Sequence, residues 1–244
     1  MLITGAGRGI GAATAWLAFE RGYAVVVNYR ENADSALGLV SKIRGAGGHA
    51  IAVQADVSKA SDVERLFRTV DNELGNLAVL INNAGVVDRK SRVDQMDESR
   101  LSRMMAVNVV GSFLCAAQAV KRMSLVHGGK GGCIVNVSSA ASKHGSPHEY
   151  VDYAASKGAI DTFTLGLARE VAAEAIRVNA VRPGVITTEI HASGGDPHRA
   201  ERMGPELPMR RPGAAEEVAH AILWLASSAA SYCTGAILDV AGGR

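Results

Sequence analysis

The chain has 244 residues, 48% hydrophobic and 20% charged, with 26 Lys and Arg against 24 Asp and Glu for a formal net charge of +2. Those proportions can fill the core of one large α/β domain over residues 1–244, and the scattered, nearly balanced charges exclude nucleic-acid or membrane-surface binding carried by bulk charge. Apolar runs such as Tyr23–Val27 and Leu77–Ile81 are too short to cross a bilayer, and Met1 leads straight into an apolar strand with no signal-peptide pattern.

The first predicted strand, Leu2–Thr4, is followed by a glycine-rich turn and a helix over Ile10–Glu20. Strand Tyr23–Asn28 leads to a helix over Asn32–Arg44, and strand His49–Gln54 to one over Ser61–Leu74. Strand Ala78–Asn82 precedes one long helical pattern, Glu98–Met123. The glycine-rich turn Gly128–Gly132 feeds strand Gly132–Val137, and a helix follows over Val151–Glu174. After strand Ile176–Val181 comes a polar stretch, 189–211, punctuated by Gly194, Gly195, Pro197, Gly204, Pro205 and Pro208. Helix Ala214–Leu225 and strand Ala236–Asp239 complete the series. The strands are continuous apolar runs, so both faces of each are buried. Strands alternating with helices imply a doubly wound parallel sheet with right-handed crossovers. The stretch 189–211 follows the C-terminal end of the sixth strand, where ligands of open α/β sheets bind, and reads as a substrate lid.

Cys115, Cys133 and Cys233 are odd in number, widely spaced and without a C-x-x-C pair, which predicts buried thiols in a reducing, cytoplasmic setting. His144 and His148 are separated by Gly145 and Pro147, so they do not form a helical metal face, and no metal is expected.

Thr4-Gly5-Ala6-Gly7-Arg8-Gly9-Ile10-Gly11 joins the first strand to the first helix. Its glycines permit a tight turn and let backbone N–H groups approach a pyrophosphate at the helix N-terminus. The spacing is not G-x-G-x-x-G, and a plain tight connection is the competing reading. The strand before it, the helix after it and the place of Gly11 in the first helical turn favour the phosphate cradle.

Thr4-Gly5-x-x-x-Gly9-x-Gly11, Asn82-Asn83-Ala84-Gly85, Asn108, Ser139, Tyr153-x-x-x-Lys157 and Pro183-Gly184 occur in that order. As an ordered set over essentially the whole chain they resemble the short-chain dehydrogenase/reductase family, and within it the bacterial sugar-dehydrogenase-like and 3-oxoacyl-carrier-protein-reductase-like members. The resemblance implies a Rossmann-like, seven-stranded parallel sheet of order 3-2-1-4-5-6-7 and a homotetramer or homodimer built on helices near Glu98 and Val151. It also implies that Asp56 and Val57 border the adenine of a dinucleotide, Asn83, Ala84 and Gly85 its ribose, and Val185, Ile186 and Thr188 its nicotinamide carboxamide. Members of that family carry several residues before the position of Leu2, so either a short first strand or a chain lacking its true start is expected here.

An acidic residue ending the second strand would bond the ribose 2′-OH of NAD(H) and repel a 2′-phosphate. This sequence has Asn28 there, followed by Tyr29 and Arg30, with Arg8 in the glycine turn. Arginine's planar fork suits a phosphate, so NADP(H) is the expected cofactor, with NAD(H) use also possible beside Glu31. Solvated surface cations are the competing reading of both arginines.

Tyr153 and Lys157 are four apart on a predicted helix and project from one face. A second stripe, Ala155, Ala159, Phe163, Leu167 and Val171, is expected to pack. A phenol can protonate the oxygen of a carbonyl under reduction, and a neighbouring ammonium would lower its pKa. Ser139 would bond the substrate oxygen, and Asn108 would hold a water linking Lys157 to solvent, as in similar enzymes. Ser138 is the competing serine, best explained as a strand-end hydroxyl bonded to backbone, and Tyr150 is the competing tyrosine. Lid residues Glu189, His191, Asp196, His198 and Arg199 are equally readable as substrate contacts or solvated groups. Arg89, Lys90 and Arg92 read as a solvated loop, although an acyl-carrier partner would need such a patch. The expected substrate is a small carbonyl compound or alcohol. A non-catalytic nucleotide sensor would need no proton relay, and a sugar-nucleotide epimerase or dehydratase would need a further domain for which the chain has no room.

Overall fold

Alternate residues of each strand supply opposite faces of one sheet. In the computed structural model, which describes residues 1–244, the strands are β1 (Leu2–Ile3), β2 (Val25–Tyr29), β3 (Ala50–Gln54), β4 (Val79–Asn82), β5 (Gly132–Val137), β6 (Ile176–Pro183) and β7 (Ile237–Val240). All pair in parallel, in the order β3-β2-β1-β4-β5-β6-β7. Ile3, Val25, Val27, Ile81 and Val135 join one core, while Leu2, Val26, Leu80 and Ile134 join another on the opposite face. This two-sided burial is why the strands read as unbroken apolar runs.

Helices α1 (Gly9–Glu20), α2 (Ala33–Gly45) and α10 (Ala215–Ala226) cover the first face, and α3 (Ala60–Leu74), α5 (Gly111–Met123) and α7 (Val151–Val171) the second. Asn32 caps α2 by accepting from Ser35 N–H at 3.2 Å, and Lys42 and Arg44 sit in its last turn, where cations suit the helix dipole.

The predicted strands all form, Gly132–Val137 with both expected ends and the others with no end displaced by more than two residues. β1 is two residues long, and Thr4 N–H closes its ladder on β4 by donating to Ile81 O at 3.0 Å. β6 runs on to Pro183, since β7 pairs with it as far as Val240. The helix expected over Glu98–Met123 is divided. After α4 (Glu98–Met105) the chain makes a wide π-helical turn, Ala106–Val110, in which Gly111 N–H bonds Ala106 O, before α5 begins. By length and composition Glu98–Met123 could also cross a membrane, but half of its apolar window is buried inside the fold. The 189–211 stretch is less irregular than its composition suggests, holding α8 (Ile190–Ser193), α9 (Arg199–Met203) and a 3₁₀ turn, Gly204–Glu206.

Of the α7 stripe expected to pack, Val171 is buried in the second core and Phe163 and Leu167 pack against it, whereas Ala159 is half-buried and Ala155 exposed; Ala154, Lys157, Ile160, Asp161, Thr164 and Ala168 complete the inner face. Polar groups on the inner face are tolerated because buried partners meet them. Asn82 donates to Asn136 Oδ1 at 3.0 Å, Asn136 to Thr164 Oγ1 at 2.9 Å, and Thr164 to Ile160 O at 2.8 Å.

Candidate active site

The reversal of strand order between β1 and β4 opens a crevice at the C-terminal ends of the strands. A cleft of about 530 Å³ lies there. One end is built by the glycine turn. Gly5 adopts φ +61°, and a Cβ on it would stand 2.9 Å from Ala84 Cα, so only glycine allows the two loops to meet. A Cβ on Gly11 would lie 2.6 Å from Asn83 Nδ2. Asn83 fastens the loops together by donating to Thr4 O at 2.8 Å and Gly5 O at 3.1 Å. Thr4 Oγ1 in turn accepts from the N–H groups of Asn83 and Ala84 at 3.0 and 2.9 Å.

Gly5, Gly7, Arg8, Gly9, Ile10, Asn28, Tyr29, Arg30, Asp56, Val57, Asn83, Ala84, Gly85, Ser139, Tyr153, Lys157, Pro183, Gly184, Val185, Ile186 and Thr188 all line the cleft. Gly11 and Asn108 do not, and stand behind its wall. Asn28 is buried, and its amide is spent on the framework: Oδ1 accepts from Gly5 N–H at 3.2 Å, and Nδ2 donates to Val53 O and Ala55 O at 3.3 and 3.0 Å. The strand runs one residue further than expected, to Tyr29, so Tyr29 and Arg30 present side chains at the lip where a ribose acid was sought. Arg30 pairs with Glu31 at 2.5 Å, and Arg8 donates to Ser193 Oγ on α8 at 3.1 Å.

The other end holds Tyr153 and Lys157, one turn apart on α7, facing Ser139 beyond β5. Lys157 is buried and donates to Val137 O at 2.8 Å. Burial pushes its ammonium down to about 8, with Asp161 opposing. Its Nζ lies 5.6 Å from the centre of the Tyr153 ring. Burial pushes the Tyr153 phenol up, and a hydrogen bond with Ser139 pulls it back. Both serines line the cleft, but Ser138 is buried and donates to Lys157 O at 3.1 Å, whereas Ser139 is half-buried and its Oγ accepts from Ala141 N–H at 3.1 Å.

Asn108 lies inside the wide turn between α4 and α5, fully buried. Its Oδ1 accepts from Val86 N–H at 2.8 Å, while Nδ2 donates to Val86 O and Ser156 Oγ at 3.0 Å each. The Asn108 side chain thus braces the loop after β4 against α7.

Three segments meet over the Tyr153 end. Arg199 of α9 grips Glu149 with both guanidinium arms, at 2.8 and 2.6 Å, and lies over the Tyr150 ring. Lys90 bonds Glu149 at 2.8 Å and Asp196 at 3.3 Å, and Asp196 also holds Arg202. Arg199 and Lys90 together hold the Glu149 carboxyl at about 2. Lys90 and Arg92 form ion pairs, with Glu149 and Asp94, while Arg89 is exposed without one. His191 and Arg199 reach the cleft, and Glu189 approaches Gly9 at its glycine-turn end, whereas His198 is exposed beside Glu201. His144, Tyr150 and Arg244 also line it. From the sequence His144 reads only as half of a rejected metal pair, and nothing local marks Arg244. Cys115 and Cys133 are buried and pushed up to about 12 and 11, and no group of three or more potential metal ligands exists.

A family model described as enoyl-(acyl carrier protein) reductase matches residues 5–244. The chain is similar to the uncharacterized oxidoreductase YgfF of Escherichia coli K12, with 54% identity over 243 residues, covering 100% of this chain and 98% of that protein. It is 38% identical over 243 residues to a 3-oxoacyl-(acyl-carrier-protein) reductase of Synechocystis, covering 99% and 95% of the two chains. A solved structure of a doubly substituted short-chain dehydrogenase/reductase from Serratia marcescens superposes with a TM-score of 0.90 at 33% identity, covering 99% of this chain and 96% of the other.

Proposed function

The chain belongs to the short-chain dehydrogenase/reductase family and is an NAD(P)-dependent oxidoreductase, and on that premise we propose that it moves a hydride between NADP(H) and a carbonyl or secondary alcohol through Ser139, Tyr153, Lys157 and Asn108. The observation that carries this reading is the shared cleft, with the glycine turn at one end and Ser139, Tyr153 and Lys157 at the other.

The residues present fit a dinucleotide. The loops meet so closely at Gly5 that no side chain fits, which leaves backbone exposed at the N-terminus of α1, whose first turn carries no acidic residue. Gly7, Gly9 and Ile10 would cradle the pyrophosphate, Asp56 and Val57 the adenine, Asn83, Ala84 and Gly85 a ribose, and Val185, Ile186 and Thr188 the carboxamide. Arg8 and Arg30 at the lips favour a 2′-phosphate, and the pairing of Arg30 with Glu31 leaves NAD(H) as a weaker alternative. When bound, the nicotinamide supplies or accepts the hydride.

The chain supplies the proton. Tyr153, kept protonated by burial, donates from Oη to the oxygen on which negative charge develops. Ser139 gives that oxygen a second hydrogen bond. Lys157 orients beside Gly85 and steadies the phenolate left behind. Asn108 acts by positioning, holding Val86 and Ser156 in place. The segment 189–211 serves as a lid, tied down at Glu149.

The reading extends to assembly and setting. Leu101, Met105, Val110, Phe113, Val151 and Leu165 leave an exposed apolar face on α4, α5 and α7, and Trp224, Tyr232 and Leu238 leave another. Two such faces suit a homotetramer and one alone a homodimer, which sedimentation distinguishes. Unpaired thiols suit the cytoplasm. Nicotinamide absorbance is followed with NADPH and NADH against ketones, aldehydes and thioesters. Turnover that prefers NADPH and disappears in Tyr153→Phe supports the reading, and full activity in that variant overturns it.

A further inference from the structure

Tyr153 and Lys157 sit on successive turns of α7, and the next turn of the same helix carries a carboxylate, Asp161. Residues four apart on a helix bring their Cβ atoms to about 5–6 Å, so Asp161 is a direct neighbour of Lys157. Both side chains are buried on the inner face. Asp161 Oδ2 accepts from Arg182 Nε of β6 at 3.0 Å and stands 2.9 Å from Nη2 of the same guanidinium. Its Oδ1 is buried without a hydrogen-bond partner. A carboxylate placed only to tie α7 to β6 would offer both oxygens to the guanidinium fork. Leaving one of them buried and without a donor costs free energy, and apolar packing is often as good a tie as a buried ion pair. What the arrangement supplies is negative charge one helical turn from a buried ammonium.

Arg182 does not serve Asp161 alone. It also reaches Asp239 of β7 at 3.6 Å, and Asp239 accepts from Lys143 of α6 at 2.8 Å. Charges therefore alternate from the site to the surface, through Lys157, Asp161, Arg182, Asp239 and Lys143. Side-chain exposure rises along the row, from 10% at Asp161 and 20% at Arg182 to 38% at Asp239 and 51% at Lys143, so solvent screens the outer members most. The other charged groups on the elements around Lys157 have partners of their own. Asp152 of α7 pairs with Arg100 of α4 at 2.7 Å, and Arg103 of α4 pairs with Asp88. His144 follows Lys143 on α6, and β5 and the turn 106–110 carry no charged residue. Burial lowers the Lys157 ammonium, and Asp161 is the one charge that opposes it.

We propose that Asp161 is a positioning residue for the reaction, supplying the counter-charge to the buried Lys157 ammonium while Arg182 fixes the carboxylate on its turn. This rests on the hydride-transfer reading of the cleft and adds to it a residue outside the cleft lining. Lys157 can steady a phenolate only while it carries its own charge.

The test reads Lys157 directly in the full chain. Lysine labelled with carbon-13 at Cε is incorporated, and the Lys157 signal, assigned by its loss in Lys157→Met, is followed by NMR from about pH 6 to about pH 11. Its midpoint is expected near 8 in the intact protein. Asp161→Asn keeps the side-chain shape and an acceptor for Arg182, and is expected to lower the midpoint by about one pH unit, a tenfold change in the protonation equilibrium. Arg182→Gln leaves Asp161 unopposed and is expected to raise it. Opposite shifts are the signature of charge, whereas a loosened helix moves both variants the same way. Among carbonyl compounds reduced with NADPH, the alkaline fall of kcat is expected to follow the Lys157 midpoint in both variants. An unmoved midpoint in Asp161→Asn, shifts of the same sign in the two variants, or a kcat profile that ignores both shifts overturns the proposal. Because the NMR titration needs no turnover, opposite shifts in a protein that reduces no carbonyl compound would refute hydride transfer and spare the charge coupling.

Discussion

Replacing Glu149 with Gln removes one negative charge where three segments converge. In the intact protein that carboxylate receives both arms of Arg199 and the ammonium of Lys90, and these hold it at about 2 instead of its ordinary 4.5. At about 1.4 kcal/mol per pKa unit the difference corresponds to roughly 3 kcal/mol of stabilisation at neutral pH. The Glu149 side chain is 29% exposed, so solvent screening reduces this to about 1–2 kcal/mol. A carboxylate whose pKa is depressed on folding contributes fully above its unfolded value of about 4.5 and loses that contribution as the pH falls toward 2. Glu149→Gln should therefore lower unfolding free energy by about 1–2 kcal/mol at pH 7, with the deficit shrinking between pH 4.5 and 3. Urea titrations across that range measure it. Arg199 sits on α9 and Glu149 just before α7, so the variant should also loosen the lid and raise KM severalfold with a smaller change in kcat. A deficit that stays constant down to pH 3, or an unchanged KM, would refute the latch.

The two serines separate by mutation. Ser139→Ala should cost about 10²–10³ in kcat as a lost donor to the substrate oxygen, whereas Ser138→Ala should keep most activity and lose about 1 kcal/mol of stability with its bond to Lys157 O; comparable kcat losses would undo the assignment. Gly11→Ala places a methyl 2.6 Å from Asn83 Nδ2 and 2.8 Å from Gly5 O, so it should cost about 1–3 kcal/mol and weaken dinucleotide binding tenfold or more by fluorescence titration. Lys157 is depressed to about 8, so below that pH both folded and unfolded chains are charged and the burial cost stands in full, easing only as the pH rises toward 10.5. Lys157→Met should thus be inactive yet about 1–3 kcal/mol more stable at pH 7, with the advantage fading by about pH 10, as denaturant titration would show.

The sheet was legible because two-sided burial writes itself as unbroken apolar strands, and the turn residues between them are local signals. Gly5, Asn83 and Gly85 were legible for the same reason, since close approach of two backbones demands small or capping residues at fixed positions. What escaped depends on tertiary neighbours. The packing face of α7 was legible only in part, at Phe163, Leu167 and Val171, because Ser156, Lys157, Asp161 and Thr164 are polar yet buried, with partners such as Asn108, Val137 O and Arg182. Asn28 lines the cleft as expected of a cofactor contact, but its framework bonds to Gly5, Val53 and Ala55 depend on neighbours distant in sequence. Arg244 and His144 lie 100 residues apart, and only the fold brings them to one wall.

The wide turn at Ala106–Val110 sets the angular phase of everything after it. Each residue of a regular α-helix advances about 100° around the axis, so the one extra residue in that turn offsets α5 from α4 by about that angle. With the offset, Ser112, Cys115, Ala116, Ala119 and Met123 face the core and Phe113 faces out. Deleting one residue between Ala106 and Val110 would restore an even pitch and swing that face away from the sheet, pulling Asn108 off Val86 at the same time. Insertions and deletions near this point are thus constrained from both ends, by the core on one side and the cleft on the other, though the turn itself touches no cofactor-facing surface except through Val107.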